Sequence, residues 1–193
     1  MTRVAIPSIS FCQTAILREE ILARYPDTRF NEEQRRMSDE ELVEFLSGRD
    51  AAIMGLENLT ADMLDRLPAL KIISRMGVGL DNVDPTMLRD RGIRMGWKGG
   101  TNCRSVAELM VAFSVCALRH VGPLYGAMRN GERPRQLMGR HLSGRIVGLH
   151  GCGNVGKDVV RLLQTWNCDI LANDIRDFPD FYAEFSVTPV TFD

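Results

Sequence analysis

The sequence predicts an α/β fold in which parallel strands alternate with helices. Short apolar runs bounded by Gly and Pro recur along the chain, and segments with the helical spacing of apolar residues separate them. The composition agrees, since 45% hydrophobic and 25% charged residues are typical of a globular chain that buries a core. Such a pattern favours a parallel sheet with helices on both faces.

The first hundred residues contain five predicted strands and four predicted helices. The strands are Arg3–Ile9, Thr28–Asn31, Asp50–Met54, Leu70–Ser74 and Ile93–Gly96. The helices are Ala15–Tyr25, one from a capping box at Ser38 to Gly48, Thr60–Leu67, and one that begins at Asp84-Pro85 and ends before Gly92. We expect residues 1–100 to form one lobe.

A polar link, Trp97–Asn102, leads into a second lobe, which we place at residues 101–193. A capping box of Ser105 and Glu108 is expected to open the longest helix. Gly122-Pro123 is expected to interrupt that helix before it resumes, and a basic loop follows.

The stretch Arg145–Gly156 joins an apolar strand to a G-x-G-x-x-G turn and a helix. In such a turn the first glycine allows the tight bend, the second lets a pyrophosphate approach the backbone, and the third allows close helix–strand packing. A second strand, Cys168–Asp174, ends in an acid about 18 residues after the last glycine, where a carboxylate can bind the ribose hydroxyls of NAD. An ordinary βαβ unit with a glycine turn would share the pattern. The expected dinucleotide-binding residues are Gly151, Gly153, Asn154, Val155, Gly156 and Asp174.

Asp174 also bears on the choice of cofactor. A carboxylate there repels a 2′-phosphate, which favours NAD over NADP. Arg176, two residues further on, keeps NADP open as an alternative, because an arginine at this point can accommodate that phosphate.

Three motifs then occur in a recognisable order: Gly77–Asp84, Asn102–Glu108, and Leu142-Ser143-Gly144 leading into the glycine turn. Together they resemble the NAD-dependent D-2-hydroxyacid dehydrogenases, particularly the D-3-phosphoglycerate dehydrogenase branch. The resemblance implies a flavodoxin-like substrate lobe followed by a Rossmann cofactor lobe, with the active site in the cleft between them. It also implies a homodimer formed through the long helix after residue 105.

The resemblance implies a binding loop for the carboxylate of a small 2-hydroxy or 2-keto acid. Gly77-Val78-Gly79 offers backbone N–H groups without obstructing side chains, and Arg75 just before it supplies a charge. The alternatives are a simple tight turn and a solvated surface arginine. The implied substrate-binding residues are Arg75, Gly77, Val78, Gly79 and Asn102. The resemblance also implies that Val78 and Val106 contact the cofactor.

No catalytic residue is expected in this chain. The family's arginine, acid and histidine come later than the matched motifs, and after Asp174 the sequence holds only one arginine, Arg176, and no histidine. The chain is therefore interpreted as the N-terminal part of such an enzyme, without activity by itself. The alternatives are a non-catalytic NAD-binding or dimerising module and a split enzyme completed by another chain. Residues after about 175 are expected to be poorly ordered or repacked unless a partner covers them.

Composition disfavours several other classes. The formal net charge of −1 gives no reason to expect nucleic acid or an anionic membrane as a partner. No apolar run reaches the roughly 18–20 residues that span a bilayer. The five cysteines are scattered, which favours reduced thiols in a cytoplasmic protein and disfavours zinc or a disulfide framework. We expect a cytoplasmic protein without a metal site.

Overall fold

The computed structural model describes residues 1–191, which fall into two units. The first is Met1–Gly99, and the second begins at Gly100. The change from one unit to the other lies within the link Trp97–Asn102. The predicted α/β class is confirmed, because both units are built on parallel sheets with helices packed against them.

The first unit contains five strands and five helices. The strands are β1 (Val4–Ile6), β2 (Thr28–Phe30), β3 (Ala51–Met54), β4 (Ile72–Arg75) and β5 (Arg94–Gly96). The helices are α1 (Ile9–Cys12), α2 (Ala15–Arg24), α3 (Asp39–Leu46), α4 (Ala61–Asp65) and α5 (Pro85–Asp90). The strands are all parallel and lie in the order β2-β1-β3-β4-β5, which is the flavodoxin-like arrangement.

Both faces of this sheet are buried, because successive side chains of a strand point to opposite faces. Ala5 of β1 packs into the core formed with α3, α4 and α5. Val4 and Ile6 pack on the other face, with Phe11 and Cys12 of α1 and the half-buried side of α2.

Two predicted helix starts are confirmed by their capping bonds. The Ser38 hydroxyl accepts the Glu41 N–H at 3.3 Å, and the Glu41 carboxylate accepts the Ser38 N–H at 2.8 Å. Asp84 caps α5 by accepting the Thr86 N–H at 2.8 Å, with Pro85 at the first helical position.

The first strand is shorter than predicted. It ends at Ile6 rather than Ile9, and the short helix α1 follows it. Pro7 has no N–H for the sheet, and Ser8 caps α1 by accepting the Phe11 N–H at 3.5 Å.

The second unit begins with two helices and continues with alternating strands and helices. In order they are α6 (Cys103–Leu118), α7 (Val121–Arg129), β6 (Ile146–His150), α8 (Asn154–Leu163), a 3₁₀ turn (Gln164–Trp166), β7 (Asp169–Asn173), α9 (Pro179–Phe185) and β8 (Val187–Pro189). The parallel sheet has the order β6-β7-β8. Counted along the chain these are strands 1, 2 and 3, so the order reproduces one half of a Rossmann sheet.

Helix α6 starts earlier than predicted. Its N-cap is Asn102, and Ser105 lies inside the first turn, so the predicted capping box of Ser105 and Glu108 is wrong. The Asn102 carbonyl already accepts the Val106 N–H at 3.2 Å, which places the start of the helix before Ser105.

The predicted interruption of this helix is present but lies a few residues earlier. The break falls at Arg119 and His120, where His120 has a φ of 53°. The ring of Pro123 would clash with the carbonyl four residues before it, which belongs to Arg119. Within the described residues no single helix is long and apolar enough to cross a bilayer; α6 and α7 reach that length only as a pair bent by 62°.

The expectation of poor order after residue 175 is wrong as far as residue 191. Helix α9 and strand β8 follow, and Phe181, Tyr182 and Val187 are buried in the core of the second unit. The ammonium of Lys157 on α8 lies 3.5 Å from the centre of the Phe178 ring, which ties the two helices together. Phe192 and Asp193, to which the expectation also applied, lie outside the described residues.

Candidate cofactor and substrate sites

The glycine turn places unbonded N–H groups at the start of α8. Gly153 is the N-cap, and no side chain caps the helix. Within residues 1–191 the N–H groups of Gly153, Asn154, Val155 and Gly156 donate no hydrogen bond. Together with the positive end of the helix dipole, these donors are suited to binding an anion.

The three glycines of the turn differ in why, and whether, the fold requires glycine at their position. Gly151 has a φ of +98°, a conformation that side chains rarely adopt. A Cβ at Gly156 would overlap the carbonyl oxygen of Gly151, so this glycine is needed for packing. A Cβ at Gly153 would meet nothing within 4 Å, so the fold itself does not require glycine there. The open space beside Gly153 is what a pyrophosphate would need.

Asp174 lies beside this turn, at the end of β7. Its Oδ2 accepts the Cys152 N–H at 2.5 Å, and its Oδ1 accepts the Arg176 N–H at 2.9 Å. The two backbone bonds, that of Arg176 first, lower the pKa of the Asp174 carboxyl below its ordinary value. Pairing of β6 with β7, extended by the 2.7 Å bond from Gly151 N–H to the Asn173 carbonyl, brings the carboxylate to the turn.

Arg176 is exposed, and among the described residues its guanidinium makes no hydrogen bond or ion pair. A free cation therefore stands two residues after the Asp174 carboxylate. Charges of both signs therefore lie at the end of β7.

The loop after β4 in the first unit has a comparable set of donors. Gly77 has a φ of +131°, and within the described chain the N–H groups of Gly77, Val78 and Gly79 donate no hydrogen bond. The carbonyls of the loop are held instead. Trp97 Nε1–H donates to the Val78 carbonyl at 3.1 Å, and Arg75 Nε–H donates to the Gly79 carbonyl at 2.9 Å. Fixed carbonyls and unused N–H groups make this loop suited to a carboxylate.

Arg75 lies next to this loop as the sequence predicts, but its contacts are to backbone. Besides Gly79 it reaches the Met54 carbonyl, with Nη1 at 3.5 Å. Arg75 therefore stabilises the loop through these bonds. Direct contact between Arg75 and a substrate stays a prediction.

Asn102 and Val106 lie in the second unit, at the start of α6, while the Gly77–Gly79 loop lies in the first. Asn102 is exposed and Val106 is half-buried.

The sequence motifs did not indicate a role for Trp97, because its bond to Val78 joins residues 19 positions apart. A tryptophan in a polar link is the only local sign of it. Within residues 1–191 no group of three or more His, Cys, Asp or Glu side chains is arranged to hold a metal ion.

The family to which the chain belongs follows from a match to a known family model. The model of the D-isomer specific 2-hydroxyacid dehydrogenase catalytic domain matches residues 9–188. The chain belongs to this family. The resemblance inferred from the three sequence motifs is confirmed.

Similar proteins show how much of the chain is covered. A hydroxypyruvate reductase of Thermotoga maritima is 30% identical over 140 residues, which are 72% of this chain and 46% of the relative. The D-3-phosphoglycerate dehydrogenase of Homo sapiens is 29% identical over 157 residues, 80% of this chain and 30% of the relative. The apo-structure of D-lactate dehydrogenase from Escherichia coli has a TM-score of 0.78 at 17% identity, covering 99% of this chain and 60% of that one. The chain therefore spans less than half the length of the hydroxypyruvate reductase and of the D-3-phosphoglycerate dehydrogenase.

Proposed function

We propose that this D-2-hydroxyacid dehydrogenase family member binds NAD through Gly151–Gly156 and Asp174. The observation that carries the proposal is the juxtaposition of four unbonded N–H groups at the start of α8 with a carboxylate fixed at the end of the neighbouring strand. The N–H groups suit the two phosphates, and the carboxylate suits the ribose hydroxyls. NAD would supply the hydride-accepting ring; the residues described here bind and orient its adenosine and pyrophosphate half.

NAD is proposed rather than NADP because of charge. Both oxygens of Asp174 already accept backbone N–H bonds, which keep the carboxyl ionised and fixed beside the glycine turn. A 2′-phosphate placed there would meet that negative charge. Arg176 would reduce the discrimination without removing it.

Titration of the protein with NADH and NADPH, followed by cofactor fluorescence, tests this site. NADH should bind more tightly than NADPH, and Asp174→Ala should weaken NADH binding by about tenfold or more, as expected for loss of a hydrogen bond to a charged group. Asp169→Ala, at the other end of the same strand, is the matched control and should leave both dissociation constants unchanged. Absence of binding at millimolar NADH would refute the cofactor site.

We further propose that the Gly77–Gly79 loop binds the carboxylate of a small 2-hydroxy or 2-keto acid, with Arg75 and Trp97 holding the loop carbonyls. Trp97 also offers a reporter, because its indole N–H is bonded to Val78. In a Trp166→Phe background, oxamate should change Trp97 fluorescence in a saturable way. A response that Gly77→Ala leaves unchanged would argue against the loop.

The whole enzyme is proposed to interconvert 2-keto and 2-hydroxy acids with NAD. For a protein consisting of these 193 residues we expect binding without turnover, because the family resemblance implies that the catalytic arginine, acid and histidine come after the motifs that this chain contains. Incubation with NADH and a panel of 2-keto acids, including pyruvate and hydroxypyruvate, should leave the absorbance of the reduced nicotinamide constant. Steady NADH consumption would contradict this expectation.

A dimerising NAD-binding module is the second candidate, and one observation favours it. Helices α6 and α7 carry several large apolar side chains that are exposed to solvent. The members are Leu109, Met110, Phe113, Tyr125 and Met128, which are 51%, 41%, 63%, 63% and 68% exposed. Such an apolar surface is typical of a subunit contact, and a homodimer through α6 is proposed on that ground.

A further inference from the structure

The start of α6 contacts the start of α8 at two places one helical turn apart. A Cβ added to Gly100 would lie 2.9 Å from the side-chain amide of Asn154, so the chain before α6 runs directly against the glycine turn. Four residues further along each segment, Arg104 Nη2 donates to Asp158 Oδ1 at 2.9 Å. Asp158 therefore lies one turn, about 6 Å along the helix axis, behind Asn154 at the start of α8.

Asp158 is an unusual residue for this place. It is 5% exposed, and its Oδ2 has no hydrogen-bond partner within the described chain. Besides Arg104, the nearest cation is Arg161, whose Nη1 lies 3.8 Å from Oδ1. A buried carboxylate behind an anion-binding helix start opposes the binding of an anion unless a cation offsets it.

Arg104 supplies that cation from another element. Its side chain is 52% exposed, whereas the Asp158 side chain is 7% exposed, so the pair reaches from solvent into the contact between α6 and α8. The α8 residues on either side of Asp158 are occupied elsewhere, since Lys157 lies over Phe178 and Val159 is buried in the core.

We propose that Arg104 is a positioning residue for the dinucleotide pyrophosphate, acting through Asp158. Its guanidinium offsets the buried carboxylate and holds α8 against the first turn of α6. The unbonded N–H groups at Gly153–Gly156 then meet the phosphates without a nearby uncompensated negative charge. The inference rests on the proposed dinucleotide site and adds a residue outside the glycine motif to it.

Three variants separate this role from a structural one. Arg104→Met leaves the Asp158 charge and should weaken NADH binding about fivefold, with adenosine binding unchanged because adenosine has no phosphate. Arg104→Met combined with Asp158→Asn removes both charges and should return NADH binding to within about twofold of the original. Arg104→Lys keeps the positive charge, so its NADH affinity should lie between that of Arg104→Met and that of the double variant.

Thermal unfolding of the same variants supplies the comparison. A structural role requires NADH and adenosine affinity to fall together with the melting temperature, and the double variant to bind no better than Arg104→Met. Either result would overturn the proposal. Arg129→Met, an exposed arginine of α7, is the matched control and should change neither affinity.

Inorganic pyrophosphate distinguishes failure of this inference from failure of the proposed function. If NADH does not bind but pyrophosphate does, and Arg104→Met weakens it, the anion site and the role of Arg104 stand while the dinucleotide function fails. If NADH binds equally well to the protein and to Arg104→Met, the role of Arg104 fails alone. If neither NADH nor pyrophosphate binds, both are refuted.

Discussion

The backbone N–H of Cys152 donates to Asp174 Oδ2 at 2.5 Å, across 22 positions of sequence. Cys152 lies between the first two glycines of the turn, and Asp174 ends the next strand. The two halves of the sequence signal for a dinucleotide are thus bonded to each other. The backbone of the glycine turn therefore also fixes the position of the Asp174 carboxylate.

This bond predicts how the site responds to acid. The pKa of Asp174 lies below its ordinary 3.8, because the carboxylate accepts the N–H groups of Arg176 and Cys152. A lowered pKa means that the stabilisation is fully present above pH 3.8 and is lost as the pH falls through the lower, folded value. The amide resonance of Cys152, followed by NMR during acidification, should shift with a midpoint below 3.8. A midpoint at or above the ordinary value would contradict the assignment.

Gly156 should be essential for folding stability. A Cβ at this position would overlap the Gly151 carbonyl oxygen, so Gly156→Ala should lower the free energy of unfolding by about 1–3 kcal/mol. Gly148→Ala, on β6 with nothing within 4 Å of the added Cβ, should be neutral or slightly stabilising. Chemical denaturation of both variants measures the difference, and equal stability would argue against the close packing of the turn.

Acid should also weaken the first unit at Asp50. This carboxylate accepts the Arg3 N–H at 2.9 Å and Arg3 Nε–H at 3.1 Å, which lower its pKa from 3.8 to about 2. Its contribution to stability is therefore present above pH 3.8 and is lost as the pH falls towards 2. Melting temperatures measured between these pH values should fall less steeply for Asp50→Asn than for the original protein. Asp90→Asn, an exposed control, should keep the original slope.

The exposed apolar side chains of α6 and α7 should hold two copies of the chain together. Light scattering after gel filtration should give the mass of a dimer, and Phe113→Arg should shift it to the monomer, since Phe113 is 63% exposed in the single chain. Leu56→Arg replaces an equally prominent apolar residue, 74% exposed, in the first unit and should leave the dimer intact. A monomeric original protein would contradict the proposed contact.

Local signals in the sequence predicted most of the fold. Ser38 with Glu41 and Asp84 with Pro85 mark helix starts through bonds within three residues, so a single sequence is enough to read them. Helix α1 was missed because its one turn has no periodic pattern. The order of the tail from Pro179 depends on the aromatic contacts of α9 with α8, which join distant parts of the chain.

In the candidate site, too, some features could be predicted from the sequence and others depend on tertiary packing. The glycine turn and the spacing to Asp174 follow from one βαβ unit, and both could be predicted. The bonds from Trp97 to Val78 and from Arg104 to Asp158 join residues 19 and 54 positions apart. Each depends on tertiary packing that no local pattern encodes.

Calorimetric titration of NADH into the protein and into Gly153→Ala tests the cofactor site most directly. The fold does not need glycine at this position, since an added Cβ meets nothing within 4 Å. We therefore expect an unchanged melting temperature together with saturable NADH binding by the original protein and a loss of about tenfold or more in the variant, whose methyl group would occupy the space of the pyrophosphate. Equal NADH affinity in the two proteins would contradict the site.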